Sequence, residues 1–258
     1  MAVRAGAEPA SAATPRVVLV TGASRGIGQA AAQALADAGC RLMLTARGLR
    51  DLEGSAMALR SQGHAVRWEA VDLCEPCSAD ALVDATVSAY GRIDALVCCA
   101  GALHVTSLSR ASDAQLRDSL ELNLVAPMRL SRAAIRAMTA GGGGRIVFVA
   151  STFAFVSAPN YSLYTVAKAG LVGLARSLAV ELAGDNIQVN AIAPGQVRTG
   201  MIGAAIERFG EDRIAAPIPA GRIAEPHEIG TSVRHLVCDA PSFLTGDVMV
   251  IDGGYLCR

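Results

Sequence analysis

Tyr164 and Lys168, in the stretch YTVAK, stand four residues apart. On a helix each residue turns by about 100°, so phenol and ammonium would project from nearly one face. A phenol in water has a pKa of ~10, too high to exchange protons readily at neutral pH. A nearby ammonium favours phenolate and lowers that value. A phenol so tuned can give a proton to an oxygen gaining charge, or take it back in reverse. Lys168 is also the single lysine among 23 basic residues, the rest being arginine. A compact ammonium with three rotatable donors fits where a planar guanidinium does not. A stray lysine could fall anywhere; its place four residues after a tyrosine argues for a role. Tyr161 is a rival, but Thr165 four residues on offers no charge, so Tyr161 reads as a pocket wall or packing residue.

A second constellation lies near the start. TGASRGIG, residues 21–28, follows an apolar run directly and opens a helical stretch. Gly22, Gly26 and Gly28, with Ser24, Arg25 and Ile27 between them, permit a tight turn and a close approach of backbone to a pyrophosphate. The free N–H groups of the helix N-terminus then face the anion. The plain alternative is a purely structural turn. At the end of the next strand, dinucleotide sites for NAD place an acid on the ribose 2′-hydroxyl. Here stand Ala46 and Arg47. A carboxylate would repel a 2′-phosphate, whereas a guanidinium grips it through paired hydrogen bonds. Arg47, with Arg25 as a second candidate, therefore favours NADP(H) over NAD(H). The alternative is two surface arginines in an arginine-rich chain.

These groups need a frame. Short apolar runs, 16–21, 41–46, 65–71, 93–98, 145–150, 187–193 and 247–252, alternate with helical stretches. Helices are expected near 28–39, 49–62, 78–90, 162–183 and 226–239, with one long helix opened by Ser112, three residues before Gln115. Runs that are mostly apolar, rather than alternating, suit strands covered on both faces. The pattern predicts an α/β fold: a Rossmann-like, doubly wound parallel sheet of about seven strands, helices on both faces, in one domain over residues 16–258. Residues 1–15, rich in Ala and lacking the apolar core of a signal peptide, read as a flexible tail. A loop-rich segment near 195–226 is expected to cover the substrate.

Composition narrows the function classes. The chain of 258 residues is 52% hydrophobic and 18% charged, with a formal net charge of zero. Nothing in that balance suggests a nucleic-acid or polybasic membrane partner, and no apolar run reaches ~18 residues. Seven cysteines, an odd number without framework spacing, fit a reducing cytoplasm. CEPC (Cys74, Cys77) has no second pair nearby and reads as loop cysteines rather than a metal site.

TGASRGIG, VDL at 71–73, AG at 100–101, ELNL at 121–124, Ser151, YTVAK, NAIAPG at 190–195 and TGDVMVIDGG at 245–254 occur in this order. Together they resemble the short-chain dehydrogenase/reductase family over nearly the whole chain after residue 15. The resemblance implies hydride transfer between a nicotinamide and a carbonyl carbon, with no metal. Tyr164 would be the acid/base, Lys168 would lower its pKa and anchor the ribose, and Ser151 would orient the substrate oxygen. Asn123 would distort its helix and hold a water linked to Lys168. Asp72 would bond the adenine beside Leu73; Cys99, Ala100 and Gly101 would line the cofactor; Pro194, Gly195, Val197 and Thr199 would hold the nicotinamide end. It also implies a homotetramer, with helices near 112–139 and 162–183 and the C-terminal strand at the contacts. One departure stands out: Cys98-Cys99 falls where the family usually has two asparagines, and thiols are weak donors.

For substrate, a small or medium ketone or secondary alcohol is expected. The chain is similar to 3-oxoacyl-carrier-protein reductases, which must dock an acidic carrier. The places where basic residues are common in that group read AGGGG (140–144) and GDN (184–186) here, leaving Arg129, Arg132 or Arg136 as substitutes. A reading of another class is a catalytically silent NADP(H)-binding sensor; that class would be expected to have lost Tyr, Lys or Ser, and all are present. Phe153 and Phe155 would be pocket or core.

Overall fold

The computed structural model describes residues 14–257, so residues 1–13 of the expected tail lie outside the described residues. Seven strands follow the seven apolar runs: β1 Val17–Thr21, β2 Arg41–Ala46, β3 Val66–Ala70, β4 Ala95–Cys98, β5 Gly144–Val149, β6 Ile187–Pro194 and β7 Val248–Ile251. They pair in parallel in the order β3-β2-β1-β4-β5-β6-β7. The chain winds outward from β1 in one direction to β3, then crosses to β4 on the other side of β1. That reversal opens a crevice beyond the carboxyl ends of β1 and β4, where such sheets take ligands.

Successive strand residues point to opposite faces, and both faces are covered. Val18 and Val20 of β1 pack with Leu42 and Leu44 of β2 under helices α1 (Gly26–Asp37), α2 (Leu49–Ser61) and α9 (Pro226–Arg234). Leu19, on the other face, packs with Leu96 and Phe148 under α3 (Ser78–Tyr90), α5 (Ala126–Ala140) and α6 (Ser162–Leu182). This is why the inner strands are mostly apolar, whereas the edge strand β3 carries exposed Arg67 and Glu69. Each such side chain contributes about 1.5–3 kcal/mol on burial.

The expected long helix after Ser112 runs unbroken from Asp113 to Ala140, but it is not α-helical throughout. Ser112 opens α4 (Asp113–Leu120) with a capping box: its Oγ accepts from the Gln115 N–H at 3.3 Å, and its own N–H donates to Gln115 Oε1 at 3.0 Å. A π-turn, Glu121–Val125, then joins α4 to α5. The segment near 195–226, read as loop-rich, also contains two helices, α7 (Gly200–Phe209) and α8 (Glu211–Ala215). The start of α8 is tied by a tertiary ion pair: Arg198, before α7, bonds both Glu211 and, at 2.7 Å, Glu225. Helix α9 ends at Arg234 and continues as a second π-turn, His235–Asp239. No helix among the described residues is long and apolar enough to cross a membrane.

Candidate active site

The glycine loop leaves β1 and turns under the end of β4. Gly22 has φ +66°, a conformation that glycine adopts without penalty, and a Cβ there would meet the Ala100 nitrogen at 2.8 Å. A Cβ on Gly28 would collide with the Gly22 carbonyl oxygen. The loop is therefore a bare backbone cradle opening α1, the shape an anion at a helix N-terminus requires. A Cβ on Gly26 would lie 3.2 Å from Thr199 Cγ2, so Thr199 sits over the same loop. Pro194 ends β6, Gly195 approaches Asp252 too closely for a side chain, and Val197 is buried and bridged to Ala224. Ser24 is tied from behind: its carbonyl accepts from Ser55 Oγ at 3.0 Å, and Ser55 Oγ accepts from Gln29 at 3.1 Å. Ile27 packs against the core beneath the loop.

Cys99, Ala100 and Gly101 extend the cradle. Thr21 Oγ1 accepts the N–H groups of both Cys99 and Ala100, each at 3.1 Å. Thr21 was not singled out from sequence; a polar residue ending an otherwise apolar strand was the available signal. It supplies a backbone tie at the place where this chain has thiols rather than amides. Cys98 is buried within the core, and burial raises its thiol pKa; the Cys99 thiol is pushed up to about 12 by burial. Neither is poised as a nucleophile.

At Gly101 the segment expected to line the cofactor meets Asn123 and Lys168. A Cβ there would lie 2.7 Å from Asn123 Oδ1 and 3.5 Å from Lys168 Nζ. Asn123 is fully buried at the centre of the π-turn. Its Oδ1 accepts from the Ala102 N–H at 3.1 Å, and its Nδ2 donates to the carbonyls of Ala102 and Ser119, both at 2.9 Å. It pins the strand-to-helix loop beside Lys168 and is neither a surface residue nor a simple helix bend.

Lys168 and Tyr164 share the buried face of α6, as four-residue spacing predicts. Lys168 Nζ donates to the Val149 carbonyl at 2.8 Å and lies 5.5 Å from the Tyr164 ring centroid. Ser151, just beyond β5, is buried; its Oγ accepts from the Phe153 N–H at 3.2 Å. Phe153 packs edge-on to Tyr164, with centroids 6.2 Å apart, and against Tyr161 at 4.8 Å. Phe153 and Tyr161 thus form one aromatic wall beside the phenol, whereas Phe155 is exposed rather than core.

The expected effect of lysine on the phenol is corrected here. In the protein alone, burial pushes Tyr164 up to about 12, and the group that pulls it down is Ser151, through a hydrogen bond, not Lys168. Burial also lowers Lys168 to about 8, against a partial pull upward from Cys99 and Cys98. Desolvation outweighs the charge effect when the ammonium bonds a carbonyl and stands off from the hydroxyl.

The other sequence-derived residues are more dispersed. Arg47 is exposed at the carboxyl end of β2, beyond buried Ala46, and Arg25 is exposed in the glycine loop. Asp72 is exposed, with Oδ1 accepting from the Cys74 N–H at 3.0 Å, and Leu73 is buried. The arginines offered as carrier-docking groups are engaged elsewhere: Arg129 pairs with Glu121, and Arg132 and Arg136 with Asp80 on α3. A cavity of about 720 Å³ lies between α1 and α7, lined by Gly26, Arg198, Thr199 and His227 among others. It borders the glycine loop at Gly26 and is not lined by Ser151, Tyr164 or Lys168.

Comparison with known proteins agrees with this geometry. Residues 22–256 match the family model described as enoyl-(acyl carrier protein) reductase. The cis-4-hydroxycyclohexanecarboxylate dehydrogenase of Sinomonas cyclohexanicum is 37% identical over 243 residues, 93% of this chain and 96% of that protein. The 3-oxoacyl-[acyl-carrier-protein] reductase of Escherichia coli K12 is 35% identical over 241 residues, with the same shares. A gluconate 5-dehydrogenase of Burkholderia cenocepacia, solved with NADP and tartrate, superposes with a TM-score of 0.90 at 27% identity, covering 94% of this chain and 96% of its own. With the sheet order, the bare glycine cradle and relatives matched along almost their whole length, the chain belongs to the short-chain dehydrogenase/reductase family of oxidoreductases.

Proposed function

We propose that the protein is an NADP(H)-dependent oxidoreductase acting on a ketone or secondary alcohol of small to medium size. The observation that carries this reading is the buried group at the carboxyl end of β5. There a buried phenol and a buried serine hydroxyl are gathered with an ammonium 5.5 Å from the phenol ring, its donor capacity not used up by its bond to the Val149 carbonyl. Bound at the glycine cradle, the nicotinamide cofactor supplies or accepts the hydride. Gly22, Gly26 and Gly28 would take the pyrophosphate; Asp72 and Leu73 the adenine; Cys99, Ala100 and Gly101 the wall; Pro194, Gly195, Val197 and Thr199 the nicotinamide end. Arg47 and Arg25, exposed and uncapped by any acid at the end of β2, are suited to a 2′-phosphate.

Tyr164 gives its proton to the substrate oxygen during reduction and removes it in oxidation. Ser151 Oγ–H donates to the same oxygen and holds it in place. Lys168 has three donors and spends one on Val149; the others are available to ribose hydroxyls and to a water chain supported at Asn123. Helices α7 and α8 cover the substrate, held by Arg198. A homotetramer accompanies this reading: Met128 on α5, Val166 and Val180 on α6, and Phe243 before β7 are exposed apolar residues on the expected contact faces.

A second reading, reduction of a 3-oxoacyl group on a carrier protein, is favoured by the similarity to the E. coli reductase. The engagement of Arg129, Arg132 and Arg136 by carboxylates speaks against it. The deciding experiment is cofactor oxidation over a panel of free ketones and a 3-oxoacyl thioester, with NADPH and NADH in parallel. The primary reading expects free ketones to turn over, NADPH to be preferred, and Arg47→Ala to raise the NADPH KM about tenfold or more. Cofactor binding without turnover on any carbonyl would return the sensor reading.

A further inference from the structure

We propose that Cys40 and Cys238 are a reversible oxidation site, closing to a disulfide that staples α1 and β2 to the end of α9. The two residues are 198 apart in sequence, yet their sulfurs lie 3.7 Å apart. Both are carried by well-fixed backbone. Cys40 joins α1 to β2, its N–H donating to the Leu35 carbonyl at 3.1 Å. Cys238 lies in the π-turn after α9, where the carbonyl of Leu236 and that of Ala240, just past the turn, accept from Arg145 at 2.7 and 2.6 Å. Helix α9 presses on α1 so tightly that a Cβ on Gly230 would meet the Ala30 carbonyl at 2.6 Å. Closing the bond needs the sulfurs to approach by roughly 1.7 Å, and Cys238 is half-buried rather than locked in the core.

The surroundings assign the two sulfurs different parts. Cys40 is 5% exposed; Cys238 is reachable from solvent. The hydrogen bond from Cys40 holds the Cys238 thiol below its ordinary range, with Arg16 and Arg234 pulling the same way against burial and Asp239. The same contact, with burial, raises Cys40. With hydrogen peroxide as oxidant, the Cys238 thiolate attacks one oxygen and the O–O bond breaks. Cys238 becomes a sulfenic acid, and one water leaves after protonation. The Cys40 sulfur then attacks Cys238 sulfur; S–S forms, S–O breaks, and the hydroxide leaves with the Cys40 proton as a second water. Two thiols lose two electrons and two protons, and a dithiol reverses the step.

The test uses the full chain, fully reduced, then treated with one equivalent of hydrogen peroxide at low protein concentration, alkylated and digested. The expected product is one peptide pair joined through Cys40 and Cys238, released by dithiothreitol. The Tm should rise by roughly 5–10 °C, since the closed loop is long. In Cys40→Ser, Cys238 should accumulate as a sulfenic acid trapped by dimedone. Oxidation confined to exposed Cys77 and Cys257, or Cys238 driven on to sulfinic acid in the wild-type chain, would overturn the proposal. Peptide mapping of the wild-type chain decides the matter even where the serine variant does not fold.

Discussion

Polar side chains are buried at both ends of the parallel sheet, and they are buried on different terms. At the amino end, Asp94 accepts the Val17 N–H at 2.8 Å with one oxygen and Arg92 Nε at 2.8 Å with the other. Half-buried Arg145 serves two carbonyls, of Leu236 and Ala240, at and just past the turn after α9. At the carboxyl end, Ser151, Tyr164 and Lys168 are as deeply buried, but among the described residues Lys168 makes a single hydrogen bond. A buried group whose partners are complete secures the fold; one left with spare donors carries a desolvation cost that only a ligand can relieve. The second arrangement marks the place for chemistry.

The comparison breaks most visibly if Tyr164→Phe retains more than a tenth of wild-type kcat. A loss of about 10³-fold or more is expected, with thermal stability nearly unchanged. Next in size is the cost of Lys168. Burial lowers its folded pKa to about 8, from 10.5. Below pH 8 both states hold the proton and the folded state bears the full penalty. Between pH 8 and 10.5 the unfolded chain binds a proton that the folded chain has released, so wild-type stability gains as pH rises. Lys168→Met lacks this dependence. Its stability relative to wild type should therefore fall by about 3 kcal/mol from pH 7 to 10.5, measured by urea unfolding. A difference that stays constant with pH would mean that the ammonium is not buried at a cost. The amino end sharpens the contrast: Asp94→Ala should lower stability by about 2–4 kcal/mol while leaving kcat and KM within twofold. A kinetic effect larger than its stability effect would erase the distinction between the two ends.

Much of this frame was legible from residue pattern. The strand over 41–46 and the helix over 78–90 match β2 and α3 at both ends, because apolar runs and Gly91 are local signals. The pairing of Tyr164 with Lys168 on one face follows from helical spacing alone. What depended on distant partners was not legible. Helix α7 carries Gly200 and Gly203, Gly210 separates it from α8, and the start of α8 is held by Arg198, which also reaches Glu225. Thr21 acquires its two N–H partners only when β4 is laid beside β1. The direction of the Tyr164 shift was misjudged because spacing reports proximity to a charge, whereas desolvation depends on everything packed around it.

The π-turn at Glu121–Val125 sets a rule for how this chain can vary. It accommodates one residue more than an α-helix would in the same turn. Helices α4 and α5 therefore run out of phase with each other, and each meets its neighbours in its own register. Removing any one residue from the turn would restore a continuous helix and rotate α5 by about 100° relative to α4. Asn123 would then swing away from Ala102, or Leu130 and Met138 away from the sheet. A deletion here would thus act at a distance from wherever it falls, whereas most substitutions within the turn act only where they are made.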